Sequence, residues 1–291
     1  TTAGGNVNVS DNTTTTTIDF SSLTTAGGGV NVSDNTATTT VDFSSLTNAG
    51  GSVNVTANTS TTTVDFSSLT TAGGSVNVSD NTPTTTVDLS SLTTVSGDLT
   101  IASNGPNTSV DLSGLCHFGD GTNLTVMTLQ DGTFTFTNCL TLGTNGTLAG
   151  SATLDGTLTN SGTISPGASP GRFDITGRLV LGHSSELRLE LAGSAPGQFD
   201  FLNVAGSVTL GGTLSVSLIN HFPRVMTNGA SFTLLTAGSP LAGAFANVAS
   251  GGSLTTTDGY ARFTVRYAGE TTLRLTDLVI VDTDSDGLPD W

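Results

Sequence analysis

Lysine is absent from the 291 residues, and seven arginines supply all the permanent positive charge on side chains. Those arginines (Arg172, Arg178, Arg188, Arg224, Arg262, Arg266 and Arg274) all lie in the last 120 residues, whereas residues 1–171 hold twelve aspartates and no cationic side chain. With a formal net charge of −16, such a surface repels phosphates and anionic lipid. Nucleic-acid partners and binding to anionic membranes are therefore excluded. The absence of lysine also excludes Lys–Asn isopeptide cross-links, so stiffness must come from packing and hydrogen bonding. Long apolar runs are missing, which argues against membrane insertion. No secretory leader stands at the start, which is Thr1 rather than Met, so the chain is expected to be a mature protein or a piece of a longer one. Hydrophobic residues reach only 35%, a proportion suited to a narrow core one side chain deep.

What is abundant is threonine, at 56 positions, and glycine, at 37. Strong helix formers are few and β-branched residues many, which predicts an all-β protein. Self-comparison then gives a period of 23 residues: TTAGGNVNVSDNTTTTTIDFSSL recurs three times with few changes and a fifth time, degraded, ending at Leu115. Within each copy apolar residues alternate, as in strands. Val7, Val30, Val53, Val76 and Leu99 form one column; Phe20, Phe43, Phe66, Leu89 and Leu112 a second; Leu23, Leu46, Leu69, Leu92 and Leu115 a third. Three short strands per period, separated by Gly-Gly, Asp-Asn-Thr and Ser-Ser turns, describe one triangular coil. The expected fold is an all-β, right-handed parallel β-helix (β-solenoid) whose stacked coils repeat every ~4.8 Å. A β-sandwich is the rival, but it does not require identity at every repeat position. Gly5, Gly28, Gly51, Gly74 and Gly97 are expected at one corner with positive φ.

The organisation read from the sequence is five repeats over 1–115, irregular coils over 116–165, a β-rich module over 166–280 and an Asp-rich tail over 281–291. Cys116 and Cys139 stand one period apart, which brings a disulfide into reach, with two free thiols as the alternative.

The stretches SGTISPGASPGRFDITGRLVLGHSSELRLELAG, FDFLNVAGSVTLGGTLSVSLIN and FTLLTAGSPLAGAFANV resemble the later passenger region of autotransporter-type β-helix proteins of bacterial surfaces. The likeness covers about residues 161–276. It implies a β-solenoid that continues or caps the repeats, and it brings no catalytic residues. The tail Asp282-Thr283-Asp284-Ser285-Asp286-Gly287-Leu288-Pro289-Asp290 resembles the calcium repeats of thrombospondin type 3. Alternating carboxylates before a glycine match the first half of a calcium loop. Asp282, Asp284, Asp286 and Asp290 would bind Ca²⁺ through side chains and Leu288 through its carbonyl; the twelfth-position Glu of an EF-hand has no counterpart. The alternative is a solvated acidic tail.

Two ladders stand out on the repeats. Asp19, Asp42, Asp65, Asp88 and Asp111 are expected to point outward, either bonding corner amides or bridging cations; neighbours ~4.8 Å apart repel by about 0.9 kcal/mol in water. Thr15/Thr17, Thr38/Thr40, Thr61/Thr63 and Thr84/Thr86 are expected as outward pairs, a grid resembling the ice-binding face of β-helical antifreeze proteins. Glycans on these threonines or at Asn8-Val9-Ser10 are chemically possible. Gly167-Ala168-Ser169-Pro170-Gly171 fits the nucleophile-elbow pattern formally, but that elbow needs a following helix, and a strand is expected there. His117, His183 and His221 are scattered. The expectation is a non-enzymatic, secreted structural protein of a bacterial cell surface. It would assemble head to tail with itself through an open first coil, with a monomeric adhesin stalk and an ice-binding solenoid as alternatives. Surface glycans are possible partners.

Overall fold

The computed structural model describes residues 1–167, 170–220, 222 and 229–281, without the side chains of 137–139. Among the described residues the fold is all-β, with no α-helix, and its repeats form a parallel β-solenoid. The chain divides into two compact units, Thr1–Thr147 with Ala152–Gly156, and Leu148–Ser151 with Thr157–Trp291.

In the first unit each coil contributes to three stacks of parallel strands. Thr25–Ala26, Val30–Ser33 and Thr40–Asp42 make up one coil, and each pairs with its equivalent 23 residues before and after. Alternation then decides the core: Val30, Val32, Val41, Phe43 and Leu46 are buried, while Asn31 and Asp42 between them are not. The rings of Phe20, Phe43 and Phe66 stack at 4.9 and 5.0 Å between centroids, within the favourable range for aromatic pairs. Leu89 and Leu112 continue that column as aliphatic residues.

The corner glycines are explained differently from the expectation. None of Gly5, Gly28, Gly51, Gly74 and Gly97 has positive φ. Crowding between coils accounts for four of them: a Cβ on Gly74 would lie 2.4 Å from Ser52 Oγ and 2.9 Å from Ser52 N, whereas one on Gly5 would meet nothing within 4 Å. The left-handed backbone sits instead at Asp11, Asp34, Ala57, Asp80 and Ser103, with φ between 55° and 59°. Asp tolerates this region better than most residues, which accounts for three of the five.

The register breaks after the fifth repeat. Leu99 pairs with Met127, 28 residues on, so five residues are inserted between Phe118 and Met127. The strand Thr125–Leu142 then runs through where earlier coils turn, and by Val110 and Phe134 the offset is back to 24.

In the second unit the coils lengthen. Ile164 pairs with Leu187 at an offset of 23, Arg172 with Phe201 at 29, and Leu202 with Leu235 at 33. The parallel stack ends where Thr272–Ile280 pairs antiparallel with both Phe232–Ala237 and Ala261–Arg266. Phe232 anchors this end, with Phe199, Phe222 and Phe263 edge-on to it at 5.5, 6.1 and 5.8 Å.

Candidate functional site

The chemistry of the first unit is concentrated between coils. Asn35, Asn58 and Asn81 are buried and directly above one another. Asn58 Nδ2 donates to Asn81 Oδ1 at 2.9 Å and to the carbonyl of Val32 at 3.0 Å. Asn58 Oδ1 in turn accepts from Asn35 Nδ2 at 2.9 Å and from the Asn35 backbone N–H at 3.1 Å. The ladder starts at Asn12 and ends at Asn104. The carboxamides of Asn35, Asn58 and Asn81 thus satisfy donors and acceptors on both neighbouring coils, which burial demands.

The threonine grid needs correcting. Thr38, Thr61 and Thr84 do not face outward: they are 0, 0 and 2% exposed, and each hydroxyl donates to the carbonyl of its counterpart one coil back at 2.9 Å. The outward columns are Thr16/Thr39/Thr62/Thr85 and Thr17/Thr40/Thr63/Thr86. In the first of these, the hydroxyls of Thr39, Thr62 and Thr85 donate to the preceding coil at 3.0, 3.1 and 3.1 Å. A third outward column, Thr24, Thr47, Thr70 and Thr93, does the same at 2.8–3.0 Å. These donors are committed to the chain rather than free to order water.

The aspartate ladder takes the corner-bonding role. Asp42, Asp65, Asp88 and Asp111 each accept the backbone N–H two residues on, at 2.8–3.0 Å. Asp19 does so too, and also accepts from the Ser21 hydroxyl at 2.6 Å; the Ser21 bonds hold its carboxyl below the usual range.

Other expected site residues are dispersed. Asp282, Asp284, Asp286, Leu288 and Asp290 lie outside the described residues, as do Ser169 and His221. Pro170-Gly171 is followed by the strand Arg172–Ile175 rather than by the helix that a nucleophile elbow needs. His183 is exposed in a turn. Cys116 is a free thiol: His117 pairs with Thr141, a register that puts residue 140 rather than Cys139 opposite Cys116.

Two clefts occur. One, of about 510 Å³ in the second unit, is lined by Pro170, Gly171, Arg172, Pro196, Phe199 and Phe201. Arg172 lies 5.1 Å over the Phe201 ring, and its Nε and Nη2 donate to the Asp174 carboxylate at 2.7 and 2.6 Å. Beside this cleft Asp200 is fully buried, accepting the Gly171 and Glu190 N–H groups at 2.7 and 2.8 Å. Burial pushes its pKa up to about 7, against the pull of those two donors. The other cleft, of about 470 Å³, lies beside the inserted segment of the first unit.

Sequence reasoning missed the asparagine ladder, whose signal was an Asn at the same place in all five repeats. It also missed Asp200, which has no periodic signal. No family model, curated protein or solved structure matches the chain.

Proposed function

We propose that this chain is a non-enzymatic structural spacer of an exported bacterial surface protein, a solenoid stalk that holds other parts at a distance. The observation that carries this reading is the commitment of side chains to neighbouring coils. Asparagines, inner threonines and two of the outer threonine columns bond from one coil to the next. A surface built this way resists unravelling and offers stiffness rather than chemistry. The likeness to autotransporter-type passenger regions and the thrombospondin type 3-like tail fit the same setting. Calcium at Asp282–Asp290 rests on the sequence alone.

Head-to-tail polymerisation into a surface fibre is the second reading. It requires a parallel coil edge at each end of the contact. The antiparallel strands Ala261–Arg266 and Thr272–Ile280 at the end of the second unit favour the stalk, because they do not continue the parallel ladder. Negative-stain electron microscopy with light scattering tests the choice, with and without a calcium chelator. Isolated monomeric rods support the stalk. Long fibres with a regular axial repeat overturn it in favour of the polymer, and compact particles overturn both.

A further inference from the structure

The five-residue insertion is the one place in the first unit where the repeat is interrupted by added chain, and polar side chains gather there without serving the coils. The cleft beside it is lined by Thr94, Ser96, His117, Asp120, Thr122 and Asn123, together with Val95 and Thr125. In the repeats the buried asparagines and the inner threonines are bonded to neighbouring coils, while half-exposed hydroxyls such as those of Thr40 and Thr71 are not. Here the side chains of Thr94, Ser96, Thr122 and Asn123 enter no hydrogen bond among the described residues. The hydroxyl of Thr125 is shielded from solvent and also lacks a partner. Leaving such a group unpaired costs stability, which a site shaped for something other than coil packing tolerates.

The base of the inserted segment is fixed. Asn145 Nδ2 donates to the Gly121 carbonyl at 2.6 Å, its backbone carbonyl accepts from Thr125 N–H at 3.0 Å, and Asp98 Oδ1 accepts the Val126 N–H at 2.8 Å. His117 Nδ1 lies 3.3 Å from Asp120 Oδ2, orienting both side chains. The backbone that carries the polar groups, and the His117–Asp120 pair among them, are thus fixed before any ligand arrives, which lowers the ordering cost of binding.

The chemistry of the lining narrows the occupant. No cationic side chain exists in residues 1–171, so anions are repelled. No group of three or more metal-ligating side chains occurs among the described residues, and Asp98 is already engaged, so a cation is poorly served. What remains is a neutral ligand rich in groups that both donate and accept. A carboxylate, an imidazole, an amide and several hydroxyls meet vicinal hydroxyls well, and Val95 offers an apolar contact for C–H groups. The volume, about 470 Å³, falls within the ~300–1,000 Å³ of small-ligand sites. We infer that the cleft between the Thr93–Ser96 segment and the inserted segment binds a short neutral oligosaccharide, with Asp120 as its main hydrogen-bond acceptor. This goes beyond the stalk reading and does not depend on whether the chain polymerises.

The test is amide chemical-shift mapping on the full chain, using neutral hexose and N-acetylhexosamine oligosaccharides at millimolar concentration beside a uronic-acid series. The expected result is saturable shifts from a neutral oligosaccharide at residues 94–96 and 117–126. Asp120→Ala should weaken them about tenfold with an unchanged melting curve. Deleting residues 119–123, which returns Leu99 and Met127 to a 23-residue spacing, should abolish them while the coil spectrum persists. Shifts from none of the neutral probes, shifts mapping elsewhere, tighter binding of the uronic series, or binding that survives the deletion would each overturn the assignment. None of these outcomes changes the rod-or-fibre result under the microscope, so the two readings fail separately.

Discussion

Replacing Asn58 by alanine tests the ladder where it is most buried. The side chain is 0% exposed, and its Oδ1 accepts two donors from the coil before it, the Asn35 backbone N–H at 3.1 Å and Asn35 Nδ2 at 2.9 Å. Alanine leaves both donors facing a space too small and too apolar to be reached by bulk water. Each orphaned buried donor costs about 1–3 kcal/mol, so the variant should lose roughly 2–6 kcal/mol. Asn81 Oδ1 keeps the Asn58 backbone N–H at 3.0 Å, so the damage should propagate toward Asn35 rather than Asn81. The control is Asn12→Ala, because Asn35 Oδ1 keeps the Asn12 backbone N–H at 3.1 Å and no buried donor is orphaned; this variant should lose below about 1 kcal/mol. Guanidinium unfolding followed by far-UV circular dichroism gives the difference, and amide exchange locates it, with faster exchange at Asn35 in the Asn58 variant alone. Equal effects of the two substitutions, or a loss under about 1 kcal/mol for Asn58→Ala, would refute the structural role of the ladder.

Gly50→Ala would place a Cβ 2.3 Å from the Gly27 carbonyl oxygen, whereas at Gly4 it would meet nothing within 4 Å. The first should cost about 2 kcal/mol or more and the second under about 0.5 kcal/mol in thermal melts, and equal shifts would contradict the packing argument. Phe43→Leu should cost under about 1.5 kcal/mol, since leucine fills the same column at Leu89 and Leu112, but Phe43→Ala should cost about 3–5 kcal/mol. Chemical denaturation measures both, and a Leu variant as damaged as the Ala variant would argue against a tolerant column. Asp200 ionises near pH 3.8 when unfolded but near 7 in the fold, so the fold holds its proton. Its stabilising contribution is full below about pH 4 and is lost as pH rises to about 7; the wild type should lose about 2–3 kcal/mol between pH 5 and 8. Asp200→Asn should flatten the dependence across that window, and an unchanged slope would remove Asp200 as its source.

The parallel solenoid was legible because stacking forces identity at every inward position, and Val7 through Leu99 or Phe20 through Leu112 declare that column without ambiguity. The threonine runs were not legible, since a stretch such as Thr38-Thr39-Thr40 carries no hydropathy contrast to say which residue turns inward. The structure puts Thr38 inside because its hydroxyl can bond the coil behind it, a stabilisation that hydropathy does not register. Asn58 was hidden for the same reason: a polar residue in a turn reads as solvated, and only the neighbouring coil supplies its partners. The glycine corner was located correctly but for the wrong cause, because crowding of Gly74 by Ser52 and of Gly97 by Ser75 depends on the preceding coil and not on local φ. The inserted segment Gly119–Asn123 looks in sequence like an ordinary turn; only the pairing of Leu99 with Met127 reveals it as extra chain.

The strict register of the first four coils makes the length of the stack adjustable without redesign. Removing Thr24–Leu46 would join Leu23 to Thr47, and the new neighbours Val7 and Val53 would meet as Val7 and Val30 do now. The inner-threonine and asparagine columns would close across the gap in the same way. Each such event changes the height of the stack by one strand spacing, ~4.8 Å, and alters neither flank. Duplication or loss of whole coils is therefore a route by which a lineage can tune the length of this stack. The constraint that keeps each coil interchangeable is the same one that makes a single misplaced side chain within it costly.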